Sequence, residues 1–167
     1  MEIARDWKIL TDFKDNPIVF PPGYIHTTVQ RPDIIMWSYS TKCIVLVELT
    51  CPAEENIQGA AIYKRSRYFN LVEELREKGW KVDLFTVEAG ARGFIAQSMS
   101  RCLQKIGIAK RSIKTMCRKL SEVVARCSYA IWLARNSKSW AHRVLLRPGD
   151  IQHIPVTSPM ASGSDEV

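Results

Sequence analysis

The stretch RPDIIMWSYSTKCIVLVELT, residues 31–50, contains two apolar runs separated by a short polar segment. The runs at 33–38 and 43–50 are rich in β-branched and apolar residues, which predicts two strands. The segment between them is short enough for a hairpin turn. Each run nevertheless carries one carboxylate, Asp33 at the start of the first and Glu48 near the end of the second. Two acids in such apolar strands need a physical reason.

The register of the hairpin decides whether the two acids meet. If Ser40 and Thr41 form a two-residue loop, paired positions add up to 81, and Asp33 lies opposite Glu48. Opposed residues have Cβ atoms about 4.5–5.5 Å apart, so the carboxylates repel unless one is protonated or a cation lies between them. Oxygen ligands favour Mg²⁺ or Mn²⁺. The alternatives are a strand-start aspartate and a strand-end glutamate paired with Arg or Lys, and a one-residue slip would break the pairing.

The sequence after the second run predicts a helix over residues 52–78, ended by Gly79. Lys64 occupies a position in the middle of the apolar stripe of this helix. One interpretation is a snorkelling lysine with its ammonium in water. The other is a cation that orients a water nucleophile or stabilises charge on a phosphoryl group, with Arg67 one turn later helping it or contacting phosphate.

The rest of the chain continues the alternation of strands and helices. A third strand is predicted over residues 81–89, and helical stretches with one apolar face are predicted at 94–106 and 113–131. The order strand, strand, helix, strand, helix, helix indicates a mixed α/β domain with helices packed on a small sheet. We expect one domain over residues 1–147 and a disordered tail or linker over 148–167, where Pro, Ser and Gly are frequent.

Charge is distributed unevenly along the chain. Residues 1–89 hold 11 Lys and Arg against 13 Asp and Glu, a net −2, whereas residues 90–147 hold 13 against one, a net +12. This asymmetry favours a polyanionic partner, nucleic acid before membrane, and the alternative is a solvated basic helix face. The candidate contacts to nucleic acid are Arg67, Arg92, Arg101, Lys105, Lys110, Arg111 and Lys114.

Other compositional features exclude several classes of protein. No run of about 18 uncharged apolar residues is present, so no transmembrane helix is expected. The five cysteines are an odd number without a CxxC pair, which favours free thiols in a reducing, intracellular compartment over disulfides or a zinc site.

The segments RPD, VELT and KVDLFTVEAG resemble the PD-(D/E)XK superfamily of restriction-endonuclease-like nucleases. More narrowly, a longer series of blocks resembles the domain of this type found in retroelement-derived (retrotransposon) open reading frames near reverse transcriptases, namely RDWKIL, RPDIIMWS, VLVELTCPAEENI, RYFNLVEELREKGWKV and VEAGARGFIAQS. The resemblance implies an α-β-β-β-α-β core with extra C-terminal helices, and a metal-dependent endonuclease that hydrolyses phosphodiester bonds in DNA. It also implies that Asp33, Glu48 and the carbonyl oxygen of Leu49 bind Mg²⁺ or Mn²⁺.

The sequence departs from the family pattern at Thr50, which occupies the position of the motif lysine. Many members compensate with a lysine or arginine from the following helix, and Lys64 is the candidate here. The alternative hypotheses are a catalytically inactive nuclease-fold module that binds nucleic acid, and a protein-interaction scaffold. DNA is the expected partner, with RNA or an RNA–DNA structure as alternatives. The sequence does not decide between a monomer and a homodimer. As the location of the protein in the cell, the nucleus is favoured over the cytoplasm.

Overall fold

The structure is a computed structural model that describes residues 4–11 and 30–136 of the 167-residue chain. Its regular structure consists of four strands, three helices and a short 3-10 turn. In chain order these are β1 (Lys8–Thr11), β2 (Ile34–Ser38), β3 (Cys43–Thr50), the 3-10 turn Glu54–Asn56, α1 (Ile57–Glu77), β4 (Lys81–Glu88), α2 (Gln97–Lys105) and α3 (Lys110–Ala134). The fold is therefore mixed α/β, as predicted. The predicted tail at 148–167 lies outside the described residues.

The strands form one mixed sheet in the order β1-β2-β3-β4. The β1–β2 and β2–β3 pairs are antiparallel, and β3 pairs with β4 in parallel. A parallel pair needs a crossover connection, and α1 supplies it between β3 and β4. The crossover brings the carboxyl-terminal ends of β3 and β4 to the same edge of the sheet, where Glu48 and Glu88 lie.

Apolar side chains cover both faces of the sheet, which explains why β3 is a nearly continuous apolar run. On one face α1 packs against the sheet through buried residues of both, namely Ile35, Trp37, Ile44, Leu46, Tyr68, Leu71, Val72, Leu75, Trp80 and Val82. On the other face α2 contributes to a second cluster, whose buried members are Val45, Val47, Val87 and Cys102. Alternate residues of β3 therefore face opposite cores, and Glu48 continues the α1-facing series of Ile44 and Leu46.

Two helices begin later than the sequence predicts, and one expected helix has no counterpart in the described residues. Helix α1 begins at Ile57, five residues after Pro52, because the intervening residues form the 3-10 turn. Helix α2 begins only at Gln97, since the segment before it is held as an ordered loop described below. The described residues before β1, numbers 4–7, are not helical, so the leading helix of the expected α-β-β-β-α-β order has no counterpart in them.

The chain divides into two compact units, Met1–Ala125 and Arg126–Val167, with the boundary inside α3. All four strands, α1, α2 and every candidate site residue belong to the first unit. The described part of the second unit is the end of α3 and two following residues, in which Tyr129 and Trp132 stack with ring centroids 6.1 Å apart. The prediction of one domain over residues 1–147 stays a prediction.

Candidate active site

The hairpin has the register that was predicted from its loop. Paired positions run from Ser38 with Cys43 to Ile34 with Val47, and each pair adds up to 81. Asp33 and Glu48 occupy the next position after the last pair, one step beyond Ile34 and Val47. The side chain of Asp33 turns to the end of β3, where its Oδ2 accepts a hydrogen bond of 2.6 Å from the backbone N–H of Leu49. The hairpin thus brings Asp33 to the residue that follows Glu48.

Glu48 is a buried carboxylate with a cation beside it. Only 4% of the residue is exposed, because the preceding strand residues are packed beneath α1. The ammonium of Lys64 donates a hydrogen bond to Oε1 of Glu48 and forms a salt bridge with it. The Lys64 side chain is itself 22% exposed, so the ammonium lies between the buried acid and solvent. The predicted position of Lys64 on the inward stripe of α1 is confirmed, and its partner is the acid rather than water alone.

Tyr68 completes the surroundings of Glu48 from the next turn of α1. Its fully buried hydroxyl lies 2.8 Å from Oε2 of Glu48 and 3.0 Å from the carbonyl oxygen of Arg31, so one proton serves two acceptors. Burial, and then the hydrogen bond to the Glu48 carboxylate, raise the pKa of Tyr68 far above its ordinary value. Tyr68 therefore stays protonated and ties the segment before Asp33 to the acid on β3.

Thr50, at the position of the motif lysine, has an uncharged side chain and cannot replace the cation of that lysine. Thr50 ends β3 and is half-buried, and its carbonyl oxygen accepts the N–H of Ala89 at 3.0 Å. Thr50 does not cap the helical segment that follows, because the 3-10 turn begins at Glu54 and has no side-chain cap. The ammonium of Lys64 on α1 contacts Glu48.

A second buried carboxylate, Glu88, lies at the end of the neighbouring strand, and sequence reasoning did not single it out. It is 2% exposed, and the Ser98 hydroxyl of α2 donates to its Oε2 at 2.5 Å. Within the described residues, Oε1 of Glu88 and the buried hydroxyl of Thr86 have no hydrogen-bond partner. The available signal was the same as for Glu48, an acid at the end of an apolar strand.

The loop that follows Glu88 is fixed against the segment after β3. The N–H of Ala91 donates to the carbonyl oxygen of Pro52 at 2.8 Å. Gly90 lies so close to Glu54 that a Cβ at this position would stand 2.7 Å from Oε1 of that acid. Gly93 has a φ of +97°, which favours glycine. The segment around Arg92 and Gly93 is therefore a tight, glycine-dependent turn.

Arg92 is held at the tip of this loop by acidic side chains. Its backbone N–H and its Nε each donate to Glu54 at 2.7 Å, and Nη2 lies 3.9 Å from Glu55. The hydrogen bonds to Arg92 lower the pKa of Glu54, and the same contact raises the pKa of Arg92. The Arg92 side chain is still 78% exposed, so the ion pair leaves most of the guanidinium facing solvent.

The candidate nucleic-acid contacts are all exposed, but they are not all in one environment. The guanidinium of Arg67 lies 5.6 Å from the ring centre of Tyr68, close to the acidic pair. Lys105 is 2.9 Å from Asp83, and Arg101 donates to Gln97 at 3.2 Å. Four positive residues thus follow one another along α2 and the start of α3 without an acid between them in sequence, namely Lys105, Lys110, Arg111 and Lys114.

The donor set suits a hard divalent cation held by few protein ligands. The described part of the chain contains no group of three or more His, Cys, Asp or Glu residues that could hold a metal. Mg²⁺, however, is commonly bound by one or two carboxylates together with several waters. A carboxylate has about four lone-pair sites, and the contacts of Glu48 with Lys64 and Tyr68 use one site on each of its oxygens. Leu49, the third expected ligand, follows Glu48 in the sequence, and its backbone N–H donates a hydrogen bond to Asp33.

Comparison with known proteins adds no identity to this geometry. No protein-family model and no curated protein matches the chain.

No helix within residues 4–11 and 30–136 is long and apolar enough to span a bilayer. The thiols of the five cysteines are free, as expected; burial raises the pKa of Cys102 to about 11, whereas Cys51 is exposed.

Proposed function

We propose that the protein is a metal-dependent DNA endonuclease that hydrolyses phosphodiester bonds. The observation that carries the proposal is the buried carboxylate of Glu48, which shares with Asp33 the register position beyond the last hairpin pair and is bonded to Lys64. Burying a charged acid costs free energy, and a purely structural role gives no reason to accept that cost. Acids and a cation held together at a strand end are, by contrast, a recurrent catalytic arrangement. The resemblance to PD-(D/E)XK nucleases agrees with this chemistry.

Each residue has a separate task in the proposed reaction. Asp33 and Glu48, with the carbonyl oxygen of Leu49, would hold Mg²⁺ or Mn²⁺, which when bound neutralises phosphate charge and lowers the pKa of a water ligand. Lys64 donates from its ammonium and stabilises negative charge that develops on the phosphoryl oxygens. Tyr68 keeps the Glu48 carboxylate in one orientation through its hydroxyl. Lys64 would thereby take the part of the lysine that Thr50 replaces.

The architecture supports the same proposal at a coarser level. The observed order of three strands, a crossover helix and a fourth strand is that of the last five elements of the restriction-endonuclease-like core. In this arrangement Asp33 and Glu48 come from a hairpin and Lys64 from the next helix, as the resemblance implies. The positive side chains of α2 and α3, together with Arg67 and Arg92, would bind the DNA backbone, which positions the duplex without reading its sequence.

The second candidate is a nuclease-fold module that binds nucleic acid without cutting it, and Thr50 is the observation that favours it. With no lysine on β3, the cation of the site depends on one side chain from α1. The two candidates share the same binding surface, so binding does not separate them. Both predict an affinity that falls steeply with salt, since each neutralised phosphate contributes a slope of roughly −0.9 to log K against log salt concentration.

Plasmid nicking separates the two candidates. We expect the wild-type protein to nick supercoiled DNA with Mg²⁺ or Mn²⁺ and not with EDTA, and Asp33→Ala to abolish nicking while DNA binding persists. The matched control is Glu73→Ala, which removes an exposed acid paired only with Arg76 among the contacts described. Intact plasmid in every lane, together with salt-sensitive DNA binding by all three proteins, would establish the binding module instead.

A further inference from the structure

A cleft on the α2 side of the sheet combines an aromatic side chain with charged ones. It has a volume of about 450 Å³, and its lining includes Trp7, Cys43, Val45, Lys81, Asp83 and Lys105. Sites that bind small molecules have volumes of roughly 300–1,000 Å³. The cleft is therefore large enough to hold a ligand.

The register of the sheet places this cleft away from the proposed active site. Cys43 pairs with Lys81 and Val45 with Asp83, at the first residues of the two parallel strands. Val45 belongs to the core cluster on the α2 side, whereas Glu48 follows the residues that face α1. Because a strand rises about 3.3 Å per residue, Cys43 and Glu48 are about 17 Å apart along β3. The cleft and the acid thus lie at opposite ends of β3 and on opposite faces of the sheet.

Trp7 supplies the aromatic side of the cleft. The residue comes directly before β1, is half-buried and packs against the core cluster on the α2 side. The same side chain lines the cleft, so the core holds the indole in place beside the open volume. An aromatic ring held in this way is a stacking surface for a flat ligand such as a nucleobase.

Two lysines from different elements converge on the cleft. Lys81 begins β4, and Lys105 ends α2, where its ammonium lies 2.9 Å from the Asp83 carboxylate. The ion pair neutralises this carboxylate, which would otherwise repel an anion. An ammonium has three N–H donors, so Lys105 can bind Asp83 and a phosphate oxygen at the same time. The side chains of Lys105 and Asp83 are 46% and 43% exposed, so a ligand can reach the pair.

We propose that this cleft binds one unpaired nucleotide, a base together with its phosphate. The base stacks on Trp7, and the phosphate contacts the ammonium groups of Lys81 and Lys105. Aromatic side chains beside positive ones are the means by which proteins bind single-stranded nucleic acid. The nucleotide is either a free nucleoside monophosphate or a unit of a single strand, since both present the same chemistry. The site uses no metal and no residue of the proposed active site, so it goes beyond the proposed function.

Binding measured in EDTA tests this site without cleavage. Fluorescence anisotropy of a labelled oligothymidylate gives the affinity for a single strand, and competition by thymidine monophosphate gives the affinity for the free nucleotide. Loss of one stacked base weakens binding by roughly 5–100-fold, which we expect for Trp7→Leu. Lys81→Gln should weaken strand binding and reduce the slope of log K against log salt concentration by about 0.7, whereas Trp7→Leu should leave the slope unchanged. The matched controls are Tyr63→Leu and Arg65→Gln, which remove an exposed ring and an exposed cation of α1 on the other side of the sheet.

Each outcome bears on the inference. Weaker binding of both ligands by Trp7→Leu and Lys81→Gln supports a site for the free nucleotide, and weaker binding of the strand alone supports a site for a nucleotide within a strand. Wild-type affinity in both variants, losses as large in the two controls, or a wild-type protein that binds neither ligand would overturn the inference. The nicking of duplex plasmid with Mg²⁺ decides the proposed function separately.

A second measurement on the wild-type protein covers the case in which Trp7→Leu does not fold. The Cys43 thiol lines the cleft, so a bound nucleotide should slow its alkylation, and the exposed Cys51 is the internal reference. An unchanged ratio of the two alkylation rates at saturating oligothymidylate would count against the site.

Discussion

The two ends of the β2–β3 hairpin carry polar clusters of opposite character. At the turn, Asp6 accepts hydrogen bonds from the hydroxyls of Ser38 and Ser40 at 2.7 and 2.6 Å, and from the N–H of Ser40 at 2.9 Å. The Ser38 hydroxyl is in turn the acceptor for Thr41 at 2.9 Å. At the other end Glu48 is buried, and so is Glu88, which lies at the end of β4 opposite Thr50. One oxygen of Glu88 has no partner in the described residues.

The difference separates polar groups that complete the fold from groups that are left for a ligand. The turn cluster ties the segment before β1 to the hairpin, and both oxygens of Asp6 accept hydrogen bonds within it. Its hydrogen bonds therefore stabilise the folded chain and leave no oxygen of Asp6 unsatisfied. At the strand ends the ammonium of Lys64 is bonded to the buried Glu48, and within the described residues one oxygen of the nearby Glu88 has no hydrogen-bond partner. Substitutions at the turn should therefore change stability, and substitutions at the strand ends should change chemistry and cation binding.

Lys64→Met should produce the largest effect on chemistry among the α1 substitutions. Removing a group that stabilises developing charge costs about 10²–10³ in rate, and we expect a loss of that size in plasmid nicking. Because the substitution also leaves the buried Glu48 without its cation, Mg²⁺ should raise the melting temperature of the variant more than that of wild type.

The control for this prediction is Arg65→Met, which removes an exposed cation one position along α1 and should leave nicking unchanged. Equal stabilisation of Lys64→Met and wild type by Mg²⁺ would mean that the ammonium and the metal do not share the same acids. It would contradict the proposed site even if nicking were lost.

Tyr68→Phe should have an intermediate effect and lower both the nicking activity and the free energy of unfolding. The substitution removes the hydroxyl that reaches Glu48 and the carbonyl oxygen of Arg31, and leaves both buried acceptors short of a donor. A buried group left unsatisfied costs about 1–3 kcal/mol, which should appear as a lower free energy of unfolding in urea. Nicking should fall less than in Lys64→Met, since Glu48 keeps its contact with the ammonium.

Tyr63→Phe is the matched control on the same helix. Tyr63 is 67% exposed, so loss of its hydroxyl should change the free energy of unfolding by less than about 0.5 kcal/mol. If both phenylalanine variants unfold at the same urea concentration as wild type, the Tyr68 hydroxyl does not hold the acid.

The parts of the site that depend on local geometry could be predicted from the sequence. A two-residue loop fixes the hairpin register, and the register alone aligns Asp33 with Glu48. The helical period alone places Lys64 among the inward residues of α1, and the crossover connection then directs it to the strand that precedes the helix. These inferences need only the spacing of neighbouring residues.

The parts that depend on distant contacts could not be predicted. Glu88 carries the same sequence signal as Glu48, an acid at the end of an apolar strand, but its hydrogen bond with Ser98 of α2 could not be predicted from β4 alone. The late start of α2 has the same cause, because Glu54, far earlier in the sequence, holds the loop around Arg92. The positive charge of α2 and α3 could be predicted from the sequence, but the salt bridge between Lys105 and Asp83 could not.

Asp6→Asn should produce the smallest effect, and only on stability. Hydrogen bonds from Ser38 and Ser40 hold the pKa of Asp6 well below its usual range, so the folded state favours the ionised form. This contribution is fully present above the ordinary aspartate pKa of about 3.9 and is lost as the pH falls through the lower pKa of the folded protein.

The melting temperature of Asp6→Asn should therefore lie below that of wild type at pH 7 and pH 5, by a similar amount at each. The gap should narrow below about pH 4, where the wild-type carboxylate begins to lose its advantage and the amide does not titrate. Nicking at neutral pH should match wild type. A gap that stays constant down to pH 2 would show that the charge of Asp6 does not stabilise the turn. A loss of nicking like that of Asp33→Ala would remove the distinction between the two ends of the hairpin, because an acid that only closes a turn has no part in binding the cation.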